Sequence, residues 1–231
     1  IFLFYYLDNN LDRLYWNNVD TINFGSVRES EPPYPKMFIL RKMNSHSSIF
    51  QFFVGLYALL ESNKDEKLYY SSTLFGISHI FMGLISYIWW ASNLCCIHKL
   101  DLLLMELTVN SLTVLVLSTT FPSLELIFII LCILYFKHRT TTLVREEIWE
   151  LVTVLLISTL IPTLMYGNCG DQYIFMLGSF FTLGGLVPKI ADIKNNFIYG
   201  TALFHFMEAF GFLMIYNWTK TFPINDSILE T

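Results

Sequence analysis

Long apolar blocks alternate with short polar breaks along most of this chain. A helix needs about 20 mostly apolar residues to cross about 30 Å of hydrocarbon. Seven runs approach that length: Ser45–Leu60, Tyr69–Ser92, Leu100–Thr119, Ser123–Phe136, Ile148–Tyr166, Tyr173–Val187 and Phe197–Trp218. The first and fourth are short, and the first is the least apolar. The polar breaks fall at 61–67, 93–99, 137–147, 167–171 and 188–196, none of them long enough for an inserted soluble domain. The pattern predicts an all-α, seven-helix transmembrane bundle over residues 45–218. A polar, aromatic, proline-bearing segment (1–44) precedes it and a short tail (219–231) follows. There is no internal repeat.

Composition agrees. Of 231 residues, 54% are hydrophobic, 17% aromatic and only 14% charged, where a soluble domain carries about a quarter charged. The net charge of -5 offers no basic surface for a phosphate backbone. A soluble enzyme and a nucleic-acid binder are both excluded. Cys95, Cys96, Cys132 and Cys169 have no CxxC spacing, so neither a disulfide framework nor a thiolate metal site is indicated. The opening IFLFYY is too short for a signal-peptide core and lacks a basic leader. A chain opening on Ile1 is expected to be a fragment or a processed product.

The positive residues divide unevenly when crossings alternate. One side collects eleven: Arg13, Arg28, Lys36, Arg41, Lys42, Lys99, Lys137, Arg139, Arg145, Lys189 and Lys194. The other has three: Lys64, Lys67 and Lys220. Positive charge stays cytosolic, so a cytosolic N-terminus is expected. The sequons Asn217-Trp218-Thr219 and Asn225-Asp226-Ser227 then fall on the lumenal side.

Ionisable groups inside bilayer helices are costly and mark functional sites. Here they are His79, Asp101, Glu106, Glu150, His205 and Glu208. Ser86 lies near the end of the second run, Asp101 opens the third, and His205 lies in the first half of the seventh. Alternating directions bring all three toward one face. The bland reading is helix-end polar groups or interhelical hydrogen bonds.

Spacing sharpens the picture. Ser86, Trp90 four residues on and Asp101 eleven further resemble the Ser, His, Asp signature of the alkaline ceramidases. The segment Thr201-Ala-Leu-Phe204-His205-Phe-Met-Glu208-Ala-Phe-Gly211 resembles that family's last helix, H-x-x-[WF]-H-x-x-x-G-x-G. Glu31-Pro-Pro33-Tyr34, with Asn44 before the first run, resembles its N-terminal C-E-P-N-Y … N segment. The wider superfamily includes the adiponectin and progestin receptors. The resemblance implies a seven-helix bundle in which three His hold a zinc beside the Ser and Asp. Zinc-bound water there attacks the ceramide amide, since neutral imidazoles and an open position yield hydroxide near neutral pH.

The departures decide what to expect. Ser86, Asp101 and His205 stand at family positions, but the two other zinc-ligand positions hold Trp90 and Thr201. His98 and His138 lie outside the runs, His46 stands at the very start of the first, and His79 is about 16 Å from Trp90 along a helix. The family's calcium ligands correspond to Arg28, Glu31, Pro33 and Arg41, and two arginines would repel calcium. The expectation is a catalytically inactivated ceramidase-like protein without a cofactor. Such a protein would keep a cavity for ceramide or another sphingolipid and act by binding a lipid or a membrane partner. Ser86, Asp101 and His205 would be remnants of the site, in an endoplasmic reticulum or Golgi membrane. The alternative is an active lipid amidase whose zinc sits in a rearranged site, with Glu208 as substitute ligand beside Asp101 and His205. One imidazole and two carboxylates suit a harder, weakly held metal better, and His205 with Glu208 could equally be a hydrogen-bonded pair. A rhodopsin-type receptor lacks its DRY and NPxxY motifs here, and a transporter lacks repeats or paired broken helices.

Overall fold

In the computed structural model the described residues are 41–62, 68–92, 95–142, 171–195, 197 and 199–221. They form helices and no strand. In chain order these are α1 (Lys42–Ser62), α2 (Tyr69–Ser92), α3 (Cys95–Thr120), α4 (Glu125–Thr142), α5 (Gln172–Gly184), α6 (Leu186–Asn195) and α7 (Gly200–Thr219), with a 3-10 turn at Pro122–Leu124 before α4. The predicted fifth run, Ile148–Tyr166, lies outside the described residues. So do residues 1–40, with Arg28, Glu31 and Pro33, and the tail from 222 with Asn225.

Among the described residues three segments are long and apolar enough to cross a membrane: Tyr69–Ala91, Leu100–Thr119 and Gln172–Asp192. The exposed surface is apolar, with Leu126, Ile127, Ile130 and Leu131 facing outward from α4 and Met176 and Phe180 from α5. The interior holds Asn44, Ser48, Gln51, Ser86, His79 and Glu208. Water would favour the reverse arrangement; a hydrocarbon solvent favours this one.

Helix bounds differ from the hydropathy reading wherever polar residues continue a helix. The stretch 95–99 belongs to α3, 137–142 to α4 and 188–195 to α6. Asp101 is therefore in the second turn of α3 and does not open it. Polarity ends a hydrophobic run but does not end a backbone hydrogen-bond ladder.

The helices follow one another around the bundle as α4, α3, α2, α1, α7 and α5, and α7 also touches α3. Glycines set the closest approaches. A Cβ on Gly55 would collide with the backbone of Gly76 and Ile80 on α2. One on Gly211 would collide with Thr182 of α5. Small residues draw helices together where lipid supplies no hydrophobic drive. Deeper in, Phe75 stacks on Tyr216 with ring centroids 5.3 Å apart, and the Tyr216 hydroxyl donates to Ala58 O at 3.1 Å. His79 is fully buried between Phe75 and Phe212.

Helix ends are tied across the bundle. Asp171 caps α5 by accepting from the N–H groups of Tyr173 and Ile174. The Glu125 carboxylate accepts from Ser71 N at 2.8 Å, at the start of α2. The sequon at Asn217 is part of α7: Tyr57 OH donates to Asn217 Oδ1, and buried Thr219 donates to Tyr216 O.

Candidate functional site

At the end of the bundle where α1, α3 and α7 begin and α2 and α6 end, buried polar side chains converge. Residues Asn44, Ser48, Gln51, Gly55, Ala58 and Ser62 of α1, alternately four and three apart, face inward as one stripe. This is the spacing that places residues on one helix face. Ser47 lies beside it. His205 Nδ1 is 3.0 Å from Ser47 Oγ and 3.3 Å from Ser48 Oγ. Both serine hydroxyls are directed at the carbonyl of Asn44, at 2.9 and 2.8 Å. Each hydroxyl can donate to that carbonyl or to the imidazole, and the tautomer of His205 decides whether Nδ1 donates or accepts.

Ser48 also links to α2, its Oγ 3.1 Å from that of Ser86. Ser86 in turn is a hydrogen-bond partner of the Asp101 carboxyl. The three residues singled out from the sequence are thus joined, but Ser86 reaches His205 only through Ser48. Glu208 does not pair with His205. Its Oε2 accepts from Gln51 Nε2 at 3.3 Å.

The break between α5 and α6 delivers the next group. Pro188 has no N–H for the carbonyl of Gly184, so the helix is interrupted there, and Gly185 N bonds back to Phe181 O. Gly200 lets α7 begin against α6, since a Cβ there would strike Pro188 O and Asp192. Asp192 Oδ2 accepts from Thr201 N at 2.9 Å and from the Thr201 hydroxyl. A carboxylate supplied by α6 therefore caps the positive end of α7. Lys189 Nζ donates to Thr201 Oγ1 at 3.0 Å and lies 5.5 Å from the centroid of the Trp90 ring.

Trp90 is 5% exposed. The Arg41 guanidinium lies over its indole at 5.9 Å, Arg41 N donates to Trp90 O, and His205 is 6.0 Å away between ring centroids. Next to it, Trp89 stacks on His98 at 4.2 Å. Burial, and then the nearby Lys189 charge, push the His98 pKa down to about 4.

These residues do not fit a three-imidazole zinc. Trp90 offers only a donor N–H, the Thr201 hydroxyl is engaged by Asp192 and Lys189, and an ammonium stands close by. Among the described residues no three His, Cys, Asp or Glu side chains could hold a metal ion together, and the set Asp101, His205, Glu208 is no exception. Of the other ionisable candidates, Glu106 is part-buried on α3, its backbone carbonyl accepting from Asn110 Nδ2. Glu150 lies outside the described residues.

Lys189, Asp192, Ser47, Ser48 and Gln51 are site residues that hydropathy passed over. Lys189 and Asp192 sit in the stretch read as a polar break. The 44–48–51 repeat was the available signal, because polar residues at helical spacing in an apolar run mark the inward face. Comparison of the chain with known protein families, with curated proteins and with solved structures finds no match in any of the three.

Proposed function

We propose that this chain is an alkaline ceramidase-like seven-helix membrane protein that no longer hydrolyses lipid. It acts by holding a lipid of the ceramide or sphingolipid class, or a membrane partner. One observation carries the reading. Position 90, where the resemblance asks for a zinc-ligating His, holds a buried indole packed beside His205 and close to two cations, Arg41 and Lys189. Thr201, at the second missing ligand, gives its hydroxyl to Asp192. The linkage of Ser86, Ser48 and His205 supports a site retained for structure, since these side chains join α1, α2 and α7. An N-terminus in the cytosol of an endoplasmic reticulum or Golgi membrane completes the proposal. Glycan attachment at Asn225 tests that orientation.

The deciding experiment uses the purified full chain. Metal content, ceramide hydrolysis and ceramide retention in native mass spectrometry are measured together. Retained ceramide with neither stoichiometric zinc nor turnover is the expected result. Stoichiometric zinc, or hydrolysis abolished by His205→Ala, overturns it and favours the rearranged amidase.

A further inference from the structure

Three acidic groups share this end of the bundle with two cations, Arg41 and Lys189. Asp101, Asp192 and Glu208 are all buried. Each has one carboxyl oxygen with no hydrogen-bond partner among the described residues. Lys189 stands among them. It reaches Asp192 through Thr201 and acts electrostatically on Asp101, Glu208 and the rings of His98 and His205. Its ammonium also lies over two aromatic rings, 5.5 Å from the Trp90 centroid and 5.9 Å from that of Phe204. Aromatic faces and carboxylates together make up the recognition surface for an alkylammonium ion. Such an environment is unfavourable without a positive charge in it, because a buried carboxylate left without a counter-charge is costly.

We propose that the surroundings of Lys189 form an ammonium-binding site whose resident ligand is the chain's own lysine. Shortening that side chain converts the place into a site for a small free alkylammonium ion. The lysine ammonium is tethered, so in the native protein it is present at high effective concentration and excludes competitors. The proposal is independent of lipid binding and hydrolysis. A zinc-loaded or hydrolytic protein would overturn the functional reading and leave this test unchanged.

The test compares the full chain with Lys189→Ala in detergent or nanodiscs. Alanine removes three carbons and the nitrogen, which n-propylammonium replaces. Lys189→Ala is expected to melt lower than the native chain and to recover saturably with n-propylammonium. The neutral isostere n-propanol should give no recovery, and the native chain should respond to neither. Lys189→Met, which keeps the length and fills the space, should melt low and stay unresponsive. Unchanged melting of Lys189→Ala, or equal responses to amine and alcohol, overturns the proposal. If Lys189→Ala does not fold, Lys189→Met is compared with Lys189→Met/Asp101→Asn. A double variant less destabilised than Lys189→Met and Asp101→Asn combined supports the site, because one of the carboxylates left without its cation has gone too. Strict additivity overturns it.

Discussion

Gln51 and Glu208 meet across α1 and α7, amide Nε2 to carboxyl Oε2 at 3.3 Å, each only 1% exposed. In a bundle interior this amide is the described donor to that carboxyl, and an unsatisfied buried polar group costs about 1–3 kcal/mol. Gln51→Leu should therefore lower stability by about that amount. Glu208→Gln, which removes the acid and keeps an amide pair, should cost less. Unfolding in detergent measures both. A larger loss for Glu208→Gln would mean that the carboxyl makes a stronger contact than the one to Gln51.

His98 predicts a pH dependence. It stacks on Trp89, and its pKa lies at about 4 in the folded chain, against about 6.5 when unfolded. As pH falls from about 6.5 toward 4, the unfolded chain takes up a proton that the folded chain does not. Stability is complete above that window and declines through it. Melting temperatures at about pH 7.5 and pH 5 should differ less in His98→Phe, which keeps the ring contact and removes the titration. An unchanged difference would show that other groups set it.

Two glycines where α5 and α7 face each other differ in what surrounds them. A Cβ at Gly211, on the facing α7, would press into Thr182 Oγ1 and backbone N, whereas one at Gly184 meets only the flexible end of Met207 at 3.4 Å. Gly211→Ala should cost about 1–3 kcal/mol through overpacking, and Gly184→Ala should fall well below that. Comparable melting temperatures for the two variants would mean that α5 and α7 separate without penalty.

Restoring imidazoles at 90 and 201 tests how far the site has drifted. Trp90→His with Thr201→His should take up zinc weakly, because Lys189 remains beside the new ligands. Adding Lys189→Ala should tighten binding by at least tenfold, about 1.4 kcal/mol, read by isothermal titration. Turnover should lag behind binding, since the supporting shell was not rebuilt. Equal zinc affinity with and without Lys189 would place the ammonium away from the new ligands.

The helical, membrane-spanning character of the chain was legible in the sequence. The second apolar run, Tyr69–Ser92, coincides with α2, because apolar content and helix length are set together by the need to cross hydrocarbon. The same logic singled out Asp101, His205 and Glu208, since an ionisable group in such a run must face the interior. Hydropathy failed where backbone continuity outlasts composition: it ended its sixth run at Val187, one residue short of Pro188, and so read Lys189 and Asp192 as loop. The partners of each polar group were decided only by the crossing of helices. Sequence spacing paired Glu208 with His205 on one helix, but the tertiary structure gives the acid to Gln51 and the imidazole to Ser47 and Ser48 of α1. A one-dimensional pattern states which side chains must be satisfied inside a membrane. Which neighbour satisfies them depends on the rotation and depth of each helix, and those are set by contacts such as Gly55 on Gly76 and Gly211 on Thr182.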